Sequence, residues 1–329
     1  MLPSDEVINS KRNYFNHGVA SSLTYLANAA NLAEKEEIKL IGRGHWQVFS
    51  HYFLCIDALK AEDHQLAEKR LISAIKAATE SPLVPVSHQH GPIINVITEN
   101  EIDKPEAILL KTIYLNPGND NDINETYSID AFTGNREIEL VNIRKALNII
   151  KTVSAEHYNF LIALLDTVMI VGNNPDLTGI KSGSTLRALG CISISPGYNQ
   201  GFSALGQYIE DLIHEASHTY LFLEQSSDEL VKNPVTALYS APFRDDKRPM
   251  VGIFHSNYVL GNLIGYFAKA ACDKSAEPAM KNENFLNRSI NRFNETTSII
   301  KHEGELTELG RKIFLETKQQ VNAALATRN

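Results

Sequence analysis

The sequence predicts an α+β fold that is predominantly helical, with a small β-sheet beside one of the central helices. Two observations support this prediction: long stretches repeat apolar residues every three or four positions, and a few short runs are rich in β-branched residues. The chain has 329 residues, of which 43% are hydrophobic and 21% are charged. That composition supplies enough apolar side chains for a globular core.

The first third of the chain is predicted to be helical over residues 14–34 and again over residues 46–78. Three prolines and a glycine then end the helical pattern within residues 81–92. The apolar, isoleucine-rich run 93–97 predicts a strand. The polar stretch 116–122 contains proline and glycine and is predicted to form an exposed loop.

The rest of the chain is predicted to alternate helices with short strands. The predicted helices cover 138–153, 155–165, a segment from about 203, an apolar segment that ends near 272, and the amphipathic stretch 278–326; the predicted strands cover 167–171 and 191–195. We place a boundary between a helical N-terminal region, residues 1–120, and a second region, residues 121–329.

Charge and cysteine content narrow the class of protein. A formal charge of −8 argues against nucleic acid or an anionic membrane as the main partner, because neither is attracted to an acidic surface. The first residues lack the pattern of a signal peptide, and no apolar run is long enough for a membrane span, so a cytoplasmic location is expected. The isolated cysteines Cys55, Cys191 and Cys272 are predicted to be inert core thiols.

The segment His214-Glu-x-x-His218 is the most informative motif. At 3.6 residues per turn, both imidazoles lie on one face of a helix, with their β-carbons about 6 Å apart. Such a pair can close on one divalent metal ion, and Glu215 beside it is a candidate acid or base. The alternative is a pair of hydrogen-bonded histidines in the core.

A third metal ligand has to come from elsewhere in the chain. The metzincin pattern is excluded because Leu221 and Glu224 occupy the positions of its glycine and third histidine. Glu224 also turns away from the face of the two histidines, since six residues advance a helix by about 600°. Glu277 remains a formal possibility, and His255 in the first turns of an apolar helix is the better candidate.

A charged segment precedes that helix. It contains Arg244 and Arg248 with Asp245 and Asp246 between them, and it begins at Tyr239. Two arginines beside a hydrophobic helix can clamp a carboxylate through paired hydrogen bonds. The alternative is a solvated turn of ion pairs.

Taken together, the segments 211–218, 239–249 and 252–255 resemble the HExxH-type Fe(II)- and 2-oxoglutarate-dependent peptide β-hydroxylases, which tailor ribosomally synthesised peptides. The segments 182–184 and 190–195 are also similar to those that precede the metal helix in that family. The resemblance covers about residues 180–270. Some relatives carry a radical S-adenosylmethionine domain, and this chain lacks the cysteine cluster that such a domain needs.

The resemblance implies that His214, His218 and His255 bind iron, with Glu215 partly offsetting the charge of the metal. It also implies that Arg244 or Arg248, within the segment that Tyr239 opens, holds 2-oxoglutarate. The expected reaction hydroxylates the β-carbon of a side chain in a ribosomal precursor peptide. Residues 121–329 would form the catalytic region. Residues 1–120 would act as scaffold, bind peptide or form a homodimer.

Two other functions are consistent with the same residues. A zinc metallopeptidase would use Glu215 as the general base on a metal-bound water. A helical peptide-binding protein without enzymatic activity would carry His214 and His218 as core filler. A separate metal site at His88 and His90 is also conceivable, although the nearby prolines favour a loop there.

Overall fold

The computed structural model describes residues 2–32, 37–40, 44–80, 91–115, 129–172, 182–196, 204–242, 246–273 and 283–327. Most of these residues are helical, in α1 Asp5–Ala29, α2 Trp46–Lys60, α3 His64–Glu80, α4 Pro105–Leu115, α5 Arg136–Val153, α6 Ala155–Leu164, α7 Ala204–Gln225, α8 Met250–Cys272, α9 Glu283–Glu303 and α10 Glu308–Ala326. The strands are β1 Ile93–Val96, β2 Thr167–Ile170, β3 Ser182–Ser184, β4 Cys191–Ile194, β5 Leu238–Ser240 and β6 Lys247–Pro249. The prediction of a predominantly helical α+β fold is confirmed.

The main sheet has the order β1-β2-β4-β3, in which β3 alone runs antiparallel to its neighbour. Side chains of β2 alternate between two hydrophobic clusters: Val168 and Ile170 join the larger cluster, while Met169 joins the smaller one, as does Val171 directly after the strand. A strand that is apolar on both faces is typical of a parallel sheet covered on both sides. Here helix α4 contributes to the smaller cluster, and α5 to α8 contribute to the larger one.

Charged side chains of helix α1 form ion pairs and hydrogen bonds with the centre of the fold. The guanidinium of Arg12 is buried, forms an ion pair with Asp166, and donates hydrogen bonds to the carbonyl oxygens of Ala163 and Leu164 at 3.3 and 3.2 Å. Lys11 forms an ion pair of 2.6 Å with Glu224 near the end of α7. Glu224 therefore faces α1, and its predicted orientation away from the two histidines is confirmed.

The boundaries of several helices differ from the sequence predictions. Helix α1 begins nine residues before position 14 and ends at Ala29, with Ser4 as its N-cap. The helical stretch predicted over 46–78 is interrupted at Glu62, whose φ of 59° is incompatible with helix. The C-terminal stretch breaks into α9 and α10, because Thr307 caps the new helix by accepting from the amide of Gly310.

The predictions on the cysteines, on several loop residues and on membrane spans can be compared with the structure in turn. Cys55 and Cys191 are buried as expected, but Cys272 is exposed at the end of α8, so its prediction as a core thiol is wrong. The loop 116–122, the boundary at residue 120, the pair His88 and His90, and Glu277 lie outside the described residues. No helix of the described chain combines the length and the apolar character needed to cross a lipid bilayer.

Candidate metal centre

Helices α7 and α8 pack against each other and carry the three histidines predicted as metal ligands. His214 and His218 lie one turn apart on α7, and His255 is the sixth residue of α8. His218 contacts His255, while Ser217 accepts a hydrogen bond of 2.9 Å from the side-chain amide of Asn262. Because later residues of α8 meet earlier residues of α7, the two helices run antiparallel.

The three imidazoles form a row with His218 in the middle. The Nε2 atoms of His214 and His218 are 3.2 Å apart, and the Nδ1 atoms of His218 and His255 are 3.1 Å apart. The corresponding ring centroids are separated by 5.0 and 5.4 Å. The structure thus brings together all three histidines that the sequence nominated, although His218 and His255 are 37 residues apart in the chain.

Each end of the row has an oxygen partner. The carboxylate of Glu210 lies 3.2 Å from Nδ1 of His214, and the amide oxygen of Gln225 lies 2.7 Å from Nε2 of His255. Both partners belong to α7, four residues before His214 and seven residues after His218. These spacings place them on the histidine face of the helix.

The hydrogen bonds of the row fix how many N–H groups the three rings must carry. Glu210 and the oxygen of Gln225 can only accept, so His214 donates from Nδ1 and His255 donates from Nε2. The two contacts with His218 each need one further N–H group. Four donated protons on three rings exceed by one the number that neutral imidazoles carry. The extra charge belongs to the ring beside the carboxylate, His214.

The pKa values of the three histidines agree with this count of protons. Burial acts to lower the pKa of His214, but the hydrogen bond to Glu210 and the charges of Glu215 and Glu210 outweigh it and raise the pKa to about 9. Burial lowers the pKa of His255 to about 3. Burial, together with the two neighbouring histidines, lowers the pKa of His218 well below its usual range. His218 and His255 are therefore neutral rings.

The donor set fits a metal ion in type and spacing. Two imidazole nitrogens that bind one ion at about 2.1 Å lie about 3.0–3.4 Å apart, which matches both nitrogen contacts in the row. Within the described ranges, however, no three side chains of His, Cys, Asp or Glu already point at one position. His218 offers Nε2 to one neighbour and Nδ1 to the other, so a shared ion requires a ring to turn.

Glu215 lies within the motif, yet its carboxylate binds the sheet. Its Oε1 accepts from the hydroxyl of Ser182 and its Oε2 accepts from the hydroxyl of Ser184, both at 2.6 Å. The two serines alternate along edge strand β3, so their hydroxyls share one face of it. Glu215 is buried and connects α7 to β3. This contact puts the small sheet beside α7, the helix that carries the His-Glu-x-x-His motif.

The predicted carboxylate clamp is described in part. Arg248 lies in β6, immediately before α8, and Tyr239 lies opposite it in β5, so their side chains share a face of the β5–β6 hairpin. Arg248 is buried and forms an ion pair of 2.9 Å with Asp246. The hydroxyl of Tyr239 accepts from the amide of Asn233 at 2.9 Å. Residues 238–240 and 247–249 of the charged segment are thus paired strands, and Arg244 lies outside the described residues.

Sequence reasoning missed Glu210 and Gln225, which hold the outer nitrogens of the row. Their helical spacing from His214 and His218 was the available signal, but polar residues are common on helices and this spacing alone singles out neither. The comparisons with known proteins add no further residues, because no protein-family model and no curated protein matches this chain.

Proposed function

We propose that this chain is an Fe(II)- and 2-oxoglutarate-dependent hydroxylase that acts on an amino-acid side chain of a peptide, at its β-carbon. The observation that supports the proposal most is the position of His255. A histidine from a second helix lies 3.1 Å from the His-Glu-x-x-His pair, which supplies the third imidazole that the resemblance requires. Iron with 2-oxoglutarate and dioxygen would supply the oxidising chemistry for an unactivated C–H bond.

The chain's own residues would bind and orient. His214, His218 and His255 would hold the ion, while Glu210 keeps the outer proton of His214 in place. Phe222 lies against the row, with its ring centroid 6.2 Å from that of His218 and 5.5 Å from that of His255, and it would restrict access of water to an ion bound there. Arg248, two residues before α8, would bind the distal carboxylate of the keto acid.

The hydrogen bonds of Glu215 favour the hydroxylase over a zinc peptidase. A general base must reach a metal-bound water with an available carboxylate oxygen. Both oxygens of Glu215 already accept from serine hydroxyls at 2.6 Å, so its carboxylate has a structural task. We therefore expect Glu215→Gln to keep most of the activity, whereas a peptidase would lose about 10²- to 10⁴-fold.

The decisive experiment combines metal analysis with succinate release. Protein purified without oxygen and loaded with Fe²⁺ should bind one equivalent of iron and form succinate when 2-oxoglutarate and oxygen are added. His255→Ala should lose both properties. His302→Ala is the matched control, because His302 is exposed on α9 and bonds only to the adjacent turn among the contacts described. Peptide cleavage without keto acid, or iron binding that survives His255→Ala, would contradict the proposal.

A second measurement tests the clamp. Arg248→Ala should raise the concentration of 2-oxoglutarate needed for half-maximal succinate release by about tenfold or more, because a charge-assisted pair is lost. Arg311→Ala removes an exposed arginine on α10 and serves as the control. Arg244→Ala should be measured alongside, since the sequence nominated both arginines. An unchanged requirement for keto acid in both variants would show that the clamp lies elsewhere.

A further inference from the structure

Gln225 occupies an unusual place in the row of histidines. It is the last residue of α7, and its amide oxygen lies 2.7 Å from Nε2 of His255 on the neighbouring helix. His255 is almost fully buried, with 1% of its surface exposed. This is a short contact across two helices at a buried ring, so it fixes how the imidazole of His255 is turned.

The chemistry of the amide oxygen decides which nitrogen of His255 carries the proton. A carbonyl oxygen only accepts, so the contact requires a proton on Nε2. A neutral imidazole has one N–H, and its other nitrogen, Nδ1, then holds the lone pair. Nδ1 is the atom that faces His218 at 3.1 Å. The lone pair of His255 thus points into the row.

At the opposite end of the row, the two nitrogens of His214 have exchanged roles relative to those of His255. The carboxylate of Glu210 accepts a hydrogen bond from Nδ1–H of His214, and Nε2 of His214 faces His218. A metal ion between the rings would therefore meet Nε2 from one helix and Nδ1 from the other. The binding atoms of His214 and His255 differ because Glu210 bonds to Nδ1 of His214, whereas Gln225 bonds to Nε2 of His255.

We propose that Gln225 is a positioning residue that fixes the Nε2–H tautomer of His255, so that His255 binds the metal ion through Nδ1 while His214 binds through Nε2. This inference rests on the proposed metal site. It specifies that His255 binds through Nδ1, and that Gln225, which is not itself a ligand, determines this choice.

The competing arrangement has a distinct signature. If the amide of Gln225 were turned the other way, its NH₂ group would donate to Nε2, and the proton of His255 would move to Nδ1. His255 would then present its lone pair to Gln225, and the metal could reach it only after the ring turned over. The two arrangements differ in the nitrogen that bears the proton, which ¹⁵N NMR of labelled histidine distinguishes.

The test uses the full chain with ¹⁵N-labelled histidine, first without metal and then with Zn²⁺ as a redox-silent probe. His255→Ala assigns the resonances. We expect the metal-free wild type to show Nε2–H at His255 and the zinc form to show Nδ1 as the metal-bound nitrogen. Gln225→Met keeps the length of the side chain but removes the acceptor. It should give a mixture of tautomers at His255 and weaken zinc binding by about 10- to 100-fold.

A rescue variant separates positioning from packing. Gln225→Glu restores an oxygen acceptor, so it should recover the Nε2–H tautomer and zinc affinity within about threefold of the wild type. The matched control is Gln320→Met, because Gln320 also bonds to α8, through the side-chain oxygen of Asn262 at 3.2 Å, away from the histidine row. That variant should leave both the tautomer and the zinc affinity unchanged.

The outcomes also separate this inference from the proposed function. Zinc bound to Nε2 of His255, or a Gln225→Met variant with wild-type tautomer and affinity, overturns the role of Gln225 and leaves the metal site standing. A wild-type chain that binds neither Zn²⁺ nor Fe²⁺ overturns both. None of these readouts depends on catalytic turnover.

Discussion

Two places beside helix α8 hold histidines that differ in the atoms they face: the single residue His157 and the row of three histidines. Among the described residues, the ring nitrogens of His157, on α6, face oxygens: Ser154 Oγ is 2.8 Å from Nδ1, and the carbonyl oxygen of Asn262 is 3.2 Å from Nε2. In the row, by contrast, the inner nitrogens face each other. An imidazole bonded to oxygens on both sides is complete within the protein, whereas nitrogen-to-nitrogen contacts can be exchanged for bonds to one ion.

Burial alone does not distinguish the two sets. Burial is the largest cause of the lowered pKa values of both His157, at about 4, and His255, at about 3. Both rings are therefore neutral at pH 7. The partner atoms distinguish the two rings, because the nitrogens of His157 face oxygens whereas Nδ1 of His255 faces a nitrogen of His218.

The largest expected effect is the loss of metal binding in His218→Ala. This variant removes the middle ring, which contacts both neighbouring rings. We therefore expect zinc affinity to fall by more than about 100-fold, which exceeds the loss typical when only a hydrogen-bond partner of a ligand is replaced. Competition with a coloured chelator measures it. Affinity within tenfold of the wild type would mean that the row resembles His157 and is core filler.

His157→Ala should behave in the opposite way. It leaves a cavity and removes the hydrogen bonds of the ring with Ser154 and Asn262, so we expect unfolding free energy to fall by about 3 kcal/mol in urea titrations. Zinc stoichiometry should remain that of the wild type. A loss of zinc binding in the folded variant would remove the distinction between the two sets.

His157 also predicts a dependence of stability on pH. Burial and the charge of Lys269 lower its pKa from 6.5 to about 4, and these outweigh the opposing charge of Glu156 and the hydrogen bond to Asn262. Between these two values the unfolded chain binds more protons than the folded one, so stability falls as the pH falls from 6.5 to about 4. The loss attributable to His157 is about 3 kcal/mol.

The measurement compares urea unfolding of the wild type with that of His157→Phe at pH 7 and at pH 4. Phenylalanine has a similar shape and does not titrate, so the variant should lose less stability over this range than the wild type does. Equal losses in the two proteins would show that His157 is not the group responsible.

The smallest expected effect comes from Ser184→Ala. The variant removes one of the two hydroxyl donors to the buried carboxylate of Glu215, which should lower unfolding free energy by about 1–3 kcal/mol. Zinc affinity should stay within threefold of the wild type, placing Glu215 with His157 among the structural groups. Ser298→Ala on the exposed face of α9 is the control. A tenfold change in zinc affinity would assign Glu215 to the metal site instead.

Local patterns predicted many elements of the fold. The helical repeat located α5 and α7 closely, and the short β-branched runs located β1, β2 and β4. The errors fall at breaks that depend on single residues. Glu62 adopts a positive φ between α2 and α3, and Thr307 caps α10, and neither residue type signals a break strongly by itself.

The sequence by itself determined that His214 and His218 share one face of a helix, because the helical repeat fixes the spacing of side chains four residues apart. Only the tertiary structure decided that His255 meets His218, that Gln225 meets His255, and that Glu215 is held by β3. Those contacts depend on how α7 packs against α8 and the sheet. Packing is set by the whole buried interface, so no local spacing in the chain encodes it.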